Sequence, residues 1–218
     1  MPALFSPRSN VVARRIVAVA VLALLGVPVL LMWWVRTPYV TGQNHTVAQP
    51  VPLFSHQIHV KGLQIDCRYC HYTAERAAPA GMPSSSTCMP CHNETWRTGS
   101  VFAPVRASLA SGHPLQWQRI NRLPDYVFFN HAIHVNKGVG CETCHGRVDQ
   151  MAQVKQAAPL TMSWCLDCHN QPERYLRPVE EMTTMGWQPA SGSQLAVGRE
   201  LKQRYHVREL TSCTACHR

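Results

Sequence analysis

Cys141-Glu-Thr-Cys144-His145 places two thiols three residues apart and an imidazole directly after the second. Four further copies follow the same spacing: Cys67-Arg-Tyr-Cys70-His71, Cys88-Met-Pro-Cys91-His92, Cys165-Leu-Asp-Cys168-His169 and Cys213-Thr-Ala-Cys216-His217. Together they use all 10 cysteines of the 218-residue chain. C-x-x-C-H is the attachment signature of c-type haem. Two thiols on one turn bond the two vinyl groups of a porphyrin, and the next residue supplies the proximal iron ligand. A zinc ribbon closes one site from two C-x-x-C pairs, so five pairs cannot be matched evenly. Disulfides suit an exported chain but do not call for a histidine after every pair. The sequence therefore predicts five covalently bound haem c groups, with His71, His92, His145, His169 and His217 as proximal ligands.

Working outward, an internal repeat precedes these motifs. Phe54-Ser-His56-Gln-Ile-His59-Val60 matches Phe129-Asn-His131-Ala-Ile-His134-Val135 as F-x-H-x-I-H-V. The match extends to Ala78-Pro79-Ala-Gly-Met82 before Cys88 and Ala158-Pro159-Leu-Thr-Met162 before Cys165. Residues 54–92 and 129–169 thus read as two copies of a dihaem module. Histidines at i and i+3 share a helix face but cannot reach one iron from the same side. They can serve two neighbouring haems, so His56, His59, His131 and His134 are the expected distal ligands of four. For the fifth, two readings stand. His206-Val207 precedes Cys213 by seven residues, as His134-Val135 precedes Cys141, which favours His206. Met82 and Met162 recur at equivalent places, and thioether ligation raises haem potential, which keeps Met162 as the alternative. His45, in a linker, and His113, in a Gly-His-Pro turn, read as bystanders.

The N-terminal part is of another kind. Ile16 to Val35 carries no charge, and twenty helical residues match the hydrocarbon thickness of a bilayer, roughly 30 Å. Arg8, Arg14 and Arg15 precede the run, Arg36 follows it, and Trp33 and Trp34 stand at an interfacial depth. The positive-inside rule keeps the N-terminus cytoplasmic. The run is too long for a signal-peptide core and no small-x-small site follows it, so an uncleaved signal-anchor is expected. The predicted organisation is a cytoplasmic segment 1–15, a membrane helix 16–36, a Pro-rich linker 37–53, a first dihaem module and connection 54–128, a second 129–192, and a single-haem segment 193–218.

The expected fold is mainly α with long loops and little or no β-sheet. Sixteen prolines and twelve glycines fit that pattern. The haems would act as the core of the exported part, because little chain is left for an ordinary one. Short helices carry the C-x-x-C-H copies, and a longer helix is expected over 193–209 with Leu195, Leu201 and Tyr205 facing inward. Trp96, Trp117, Trp164, Trp187 and Tyr126 read as packing against haem. The formal charge of +9 first suggests nucleic acid, but five haems bring up to about ten propionate charges. Lysines and arginines are better read as their partners, and no nucleic acid is expected.

An iron with two protein ligands has no position for substrate, so a saturated chain moves electrons. A multihaem reductase, for example of nitrite, needs an open haem; that family marks it with C-x-x-C-K, which is absent here. The modules resemble class III multihaem cytochromes, in which the first histidine of F-x-H-x-x-H caps the haem that follows it. That likeness implies His56 with the Cys67–Cys70 haem and His131 with the Cys141–Cys144 haem. One N-terminal span, two such modules and a terminal haem ending in Cys-His-Arg, with Leu123-Pro-Asp-Tyr-Val-Phe-Phe-Asn-His131 and Met162-Ser-Trp-Cys165-Leu-Asp-Cys168-His169, resemble the pentahaem c-type cytochrome subunits of alternative complex III. The resemblance implies a respiratory or photosynthetic quinol:acceptor oxidoreductase in a bacterial inner membrane, with the haem domain periplasmic. Iron–sulfur and membrane-integral quinol-oxidising subunits would supply electrons. A periplasmic monohaem cytochrome, a copper protein or an oxidase would accept them. It also implies one methionine-ligated haem. A single-span multihaem quinol dehydrogenase is the alternative.

Overall fold

In a computed structural model the described residues are 7–52, 54–95, 98–190 and 192–217. Trp96 lies outside them. The chain divides into two compact units, Met1–Gly42 and Gln43–Arg218.

The first unit is built on α1, Pro7–Trp34, with a mean hydropathy of 2.7 over its most apolar stretch. Its valines and leucines are exposed along their whole length, Leu22 at 71% and Leu24 at 73%. A helix of this length without an acidic residue is apolar enough to cross a bilayer. Pro28 sits inside the continuous helix; the loss of one backbone donor is tolerated in such segments. The short α2, Pro38–Thr41, ends at Gly42 with φ +76°.

The second unit is helical, with no strand among the described residues beyond two isolated bridges, Val127–His217 and Val139–Leu176. The five C-x-x-C-H copies lie on α3 (Cys67–Cys70), α4 (Ser85–His92), α7 (Cys141–His145), α8 (Met162–Asn170) and α10 (Cys213–Cys216). Side-chain caps start two of them: Asp66 accepts from the Arg68 amide, and Thr161 from that of Trp164. The remaining helices are α5 (Ala103–Ser111), α6 (His131–Asn136) and α9 (Gln194–Arg204).

The two repeats interlock. The His131 and Ala132 amides donate to the carbonyls of Ala78 and Ala77, at 3.1 and 3.2 Å. In return Gln57 donates to the Met151 carbonyl at 3.1 Å. The start of the unit is fastened to the same loop, with the Asn44 amide on Gln156 and the Gln156 amide on His45. Each module's histidine turn therefore docks on the loop of the other. The ordinary core is thin: Val51, Phe102 and Val105 form its one cluster among the described residues, flanked by Phe54, Met89, Leu115 and Trp117. With Val135, Ala158, Leu176, Met182 and Leu201, eight apolar side chains are buried among the described residues, few for a unit this size.

The helix expected over 193–209 is shorter and less buried. Ser193 caps α9, which stops at Arg204. Leu201 is buried at 4%, but Leu195 is 42% exposed. Beyond it His206 adopts φ +50°, and Val207 donates back to the Lys202 carbonyl. That pattern is the left-handed Schellman stop usually made by glycine.

Candidate haem-binding site

Four pairs of histidine rings stand opposite one another in the second unit, two near parallel and two inclined at 41° and 75°. His56 and His71 have centroids 6.5 Å apart with planes 3° from parallel. His131 and His145 repeat this at 6.4 Å and 7°. His59 and His92 are 6.2 Å apart, and His134 and His169 6.1 Å. Each pair joins one histidine of F-x-H-x-I-H-V to one of C-x-x-C-H. Two imidazole nitrogens each about 2 Å from a shared metal put their ring centroids roughly 6.4 Å apart when the bonds are collinear. Direct ring contact would bring them closer, and a lone water bridge would not require the pairing four times. The spacing therefore fits a metal held between each pair.

In six of the rings the other nitrogen decides the tautomer. Nδ1 lies 2.8 Å from the Ser55 carbonyl in His59, 2.8 Å from Gly81 in His71 and 2.7 Å from Ala78 in His131. His134 uses Asn130 at 2.8 Å, His92 Thr95 at 3.3 Å and His217 Tyr126 at 3.1 Å. A carbonyl only accepts, so the proton sits on Nδ1 and leaves the Nε2 lone pair for a metal. Burial pushes the His56 and His145 pKa values down to about 4, with His71 the next cause at His56 and His131 at His145. His134 moves the same way, again through burial. Neutral imidazole is the ligating form, so these sites are set for coordination. Phe54 wedges against both His56 and His59, at 4.9 and 4.8 Å, and Phe129 against His131 and His134, at 4.7 and 4.4 Å.

The thiols form a sequence of neighbours. Cys67 and Cys141 are neighbours, and each thiol acts on the other: the pKa of the first is lowered and that of the second raised. Burial first, then Cys88, raises Cys70. Burial first, then Cys168 and Cys165, raises Cys144 to about 12. Burial first, then Cys216, raises Cys165. All ten cysteines are free of disulfides.

The fifth motif differs. Among the described residues no ring contact joins His217 to another histidine; its neighbour is Tyr126 at 5.7 Å. His206 lines a surface cleft of about 730 Å³ with Glu173, Arg199, Lys202 and Arg208. Met162 heads α8 with its side chain 67% exposed, and Met82 is 51% exposed. His45 and His113 join no ring pair among the described residues. Of the expected packing aromatics, Trp117 meets Phe54 at 6.0 Å and Trp187 lies under the Arg177 guanidinium at 5.4 Å. Phe102, stacked on His92 at 4.7 Å, and Asn121, beside His145, were not legible in the sequence. Phe54 and Phe129 were signalled by the repeat, whereas nothing marks Asn121.

Fold, motif and ring pairing together define a multihaem c-type cytochrome, an electron-transfer protein that binds haem covalently. Residues 52–104 and 127–218 match the family described as cytochrome c7 and related cytochrome c, and the chain belongs to that family. It is also 33% identical over 114 residues to a protein of Nitratidesulfovibrio vulgaris named menaquinone reductase, multiheme cytochrome c subunit. The match covers 52% of this chain and 51% of that relative, so the chain spans about half the length of the protein it resembles.

Proposed function

We propose that this chain is a pentahaem relay component of a quinol-oxidising membrane complex of the alternative complex III kind, anchored by α1 with its N-terminus cytoplasmic and its haem unit periplasmic. The observation that carries the relay reading is the set of four histidine pairs 6.1–6.5 Å apart. Rings that approach a metal from both sides leave no position for substrate. Haem c supplies reversible one-electron chemistry; the chain holds, orients and spaces it. His71, His92, His145, His169 and His217 are the proximal ligands, and His56, His59, His131 and His134 the distal ones. The cysteine pairs are the attachment points.

Met162 is the fifth distal ligand in this reading. It lies three residues before Cys165 on α8, on the same helix face, and the resemblance to alternative complex III cytochromes implies one methionine-ligated haem. His206 instead lines the cleft at the end of α9. Likeness to a menaquinone reductase component supports a quinol-linked partner set: iron–sulfur and membrane-integral subunits as donors, and a periplasmic monohaem cytochrome, copper protein or oxidase as acceptor.

Purification from the native membrane with haem quantitation tests the assignment. Five haems per chain, low-spin throughout, co-purifying with iron–sulfur and integral subunits, is the expected result. A high-spin haem that binds carbon monoxide would replace it with a reductase, and an isolated chain reduced directly by menaquinol with a quinol dehydrogenase. Met162→Ala should turn one haem high-spin while His206→Ala leaves all five low-spin; the reverse outcome restores His206.

A further inference from the structure

Six of the nine haem-site histidines give Nδ1 to a main-chain carbonyl, His56 Nδ1 is buried without a partner, and His145 instead meets a side chain. Its Nδ1 lies 3.0 Å from the side-chain amide of Asn121. As placed, the amide nitrogen faces the ring while Asn121 Oδ1 is buried without a hydrogen-bond partner. An amide nitrogen donating to Nδ1 would leave the proton on Nε2, where it blocks coordination. Exchanging the amide oxygen and nitrogen, which have the same shape, resolves both problems. Oδ1 then accepts from Nδ1–H, and Nε2 is free toward His131, whose ring stands parallel at 6.4 Å. Asn121 lies between the two stretches that match the family, 52–104 and 127–218, so this contact comes from the segment that connects them.

We propose that Asn121 is a positioning residue for the third haem, one that orients His145 and sets that haem's reduction potential through the strength of its hydrogen bond. An acceptor on Nδ1–H makes the imidazole a stronger donor and favours ferric iron. A backbone carbonyl fixes that strength. A side chain can vary it by one substitution, so this haem can be retuned without moving the fold. The inference rests on His145 being an iron ligand, as proposed above. Haem content and spin state of the unmodified protein test that premise separately.

The experiment is spectroelectrochemical titration of the full-length holoprotein with Asn121→Asp and Asn121→Leu, with haem counts and low-temperature EPR. Aspartate strengthens the acceptor and should lower the potential of about one fifth of the haem absorbance. Leucine removes the acceptor and should raise it. Both variants should keep five low-spin haems, with one EPR signal altered. Shifts in the same direction, or five unchanged potentials, would overturn the proposal. If the leucine variant does not assemble, the aspartate variant decides alone, because it keeps size and acceptor: an unshifted potential refutes the role. A wild-type protein short of one haem, or with a high-spin third haem, would instead refute the ligand assignment.

Discussion

Asp66 shows how much a single side chain does at an attachment turn. Its carboxylate accepts from the Arg68 amide and, in a fork, from the Arg68 guanidinium, and receives the Thr183 hydroxyl from far along the chain. The Arg68 hydrogen bonds are the main reason its pKa falls from 3.8 to about 2, against a smaller opposing effect of burial. The side chain is 40% exposed, so the ion pair itself is worth little in water. The cap is the larger contribution, about 1 kcal/mol. A depressed carboxylate stabilises fully above its unfolded pKa and loses that contribution as pH falls through the folded one. Asp66→Ala should therefore lower holoprotein stability by about 1 kcal/mol at neutral pH. The difference from the native protein should narrow between about pH 4 and pH 2. Guanidinium unfolding at several pH values reads this directly. A gap that stays constant to the acid end would show that the carboxylate charge is not involved.

At the scale of elements, α9 turns on a glycine that composition alone would count against it. Glycine inside a helix costs about 1 kcal/mol relative to alanine. Here Gly198 is buried in contact with the turn Pro172–Arg174, and a Cβ would stand 1.8 Å from the Glu173 carbonyl oxygen. Backbone cannot yield as a side chain tip does, so the clash outweighs the propensity gain. Gly198→Ala should destabilise by roughly 1–3 kcal/mol, seen as a lower Tm of the holoprotein; a higher Tm would mean α9 does not pack on that turn. The same element shows where sequence reading runs out. Its start was legible in Ser193, but its stop was not, because a histidine rather than a glycine takes the left-handed position at 206. Likewise the repeat announced both histidine turns. It could not foretell that Gln57–Gly62 is a π-helix while His131–Asn136 is an α-helix. That choice depends on what packs against each, and a seven-residue pattern does not encode it. The C-x-x-C-H helices were legible because thioether spacing fixes one turn. Asn121 was not, since a lone asparagine in a connecting segment carries no periodicity at all.

Across the whole haem unit, the cysteine neighbours imply an order. Cys88 acts on Cys70, Cys67 and Cys141 act on each other, Cys144 feels Cys165 and Cys168, and Cys165 feels Cys216. The attachment sites thus run from the second motif through the first, third and fourth to the fifth, a path that does not follow the chain. Its two ends are also where cysteines are exposed, Cys91 and Cys213. Electrostatics makes the order testable without any partner. Two unit charges about 10 Å apart at an effective dielectric near 20 interact by about 1.7 kcal/mol, and by half that at twice the distance. Salt screens the longer interaction further. Removing the last haem by Cys213→Ser with Cys216→Ser should then shift the potential of one remaining haem most strongly and those of the other three progressively less. The neighbour moved should be the one attached at Cys165–Cys168. A redox titration of the tetrahaem variant, with that haem marked by the EPR change of a His134 substitution, distinguishes the outcomes. Comparable shifts in two or more haems would mean the sites are clustered, not strung in line.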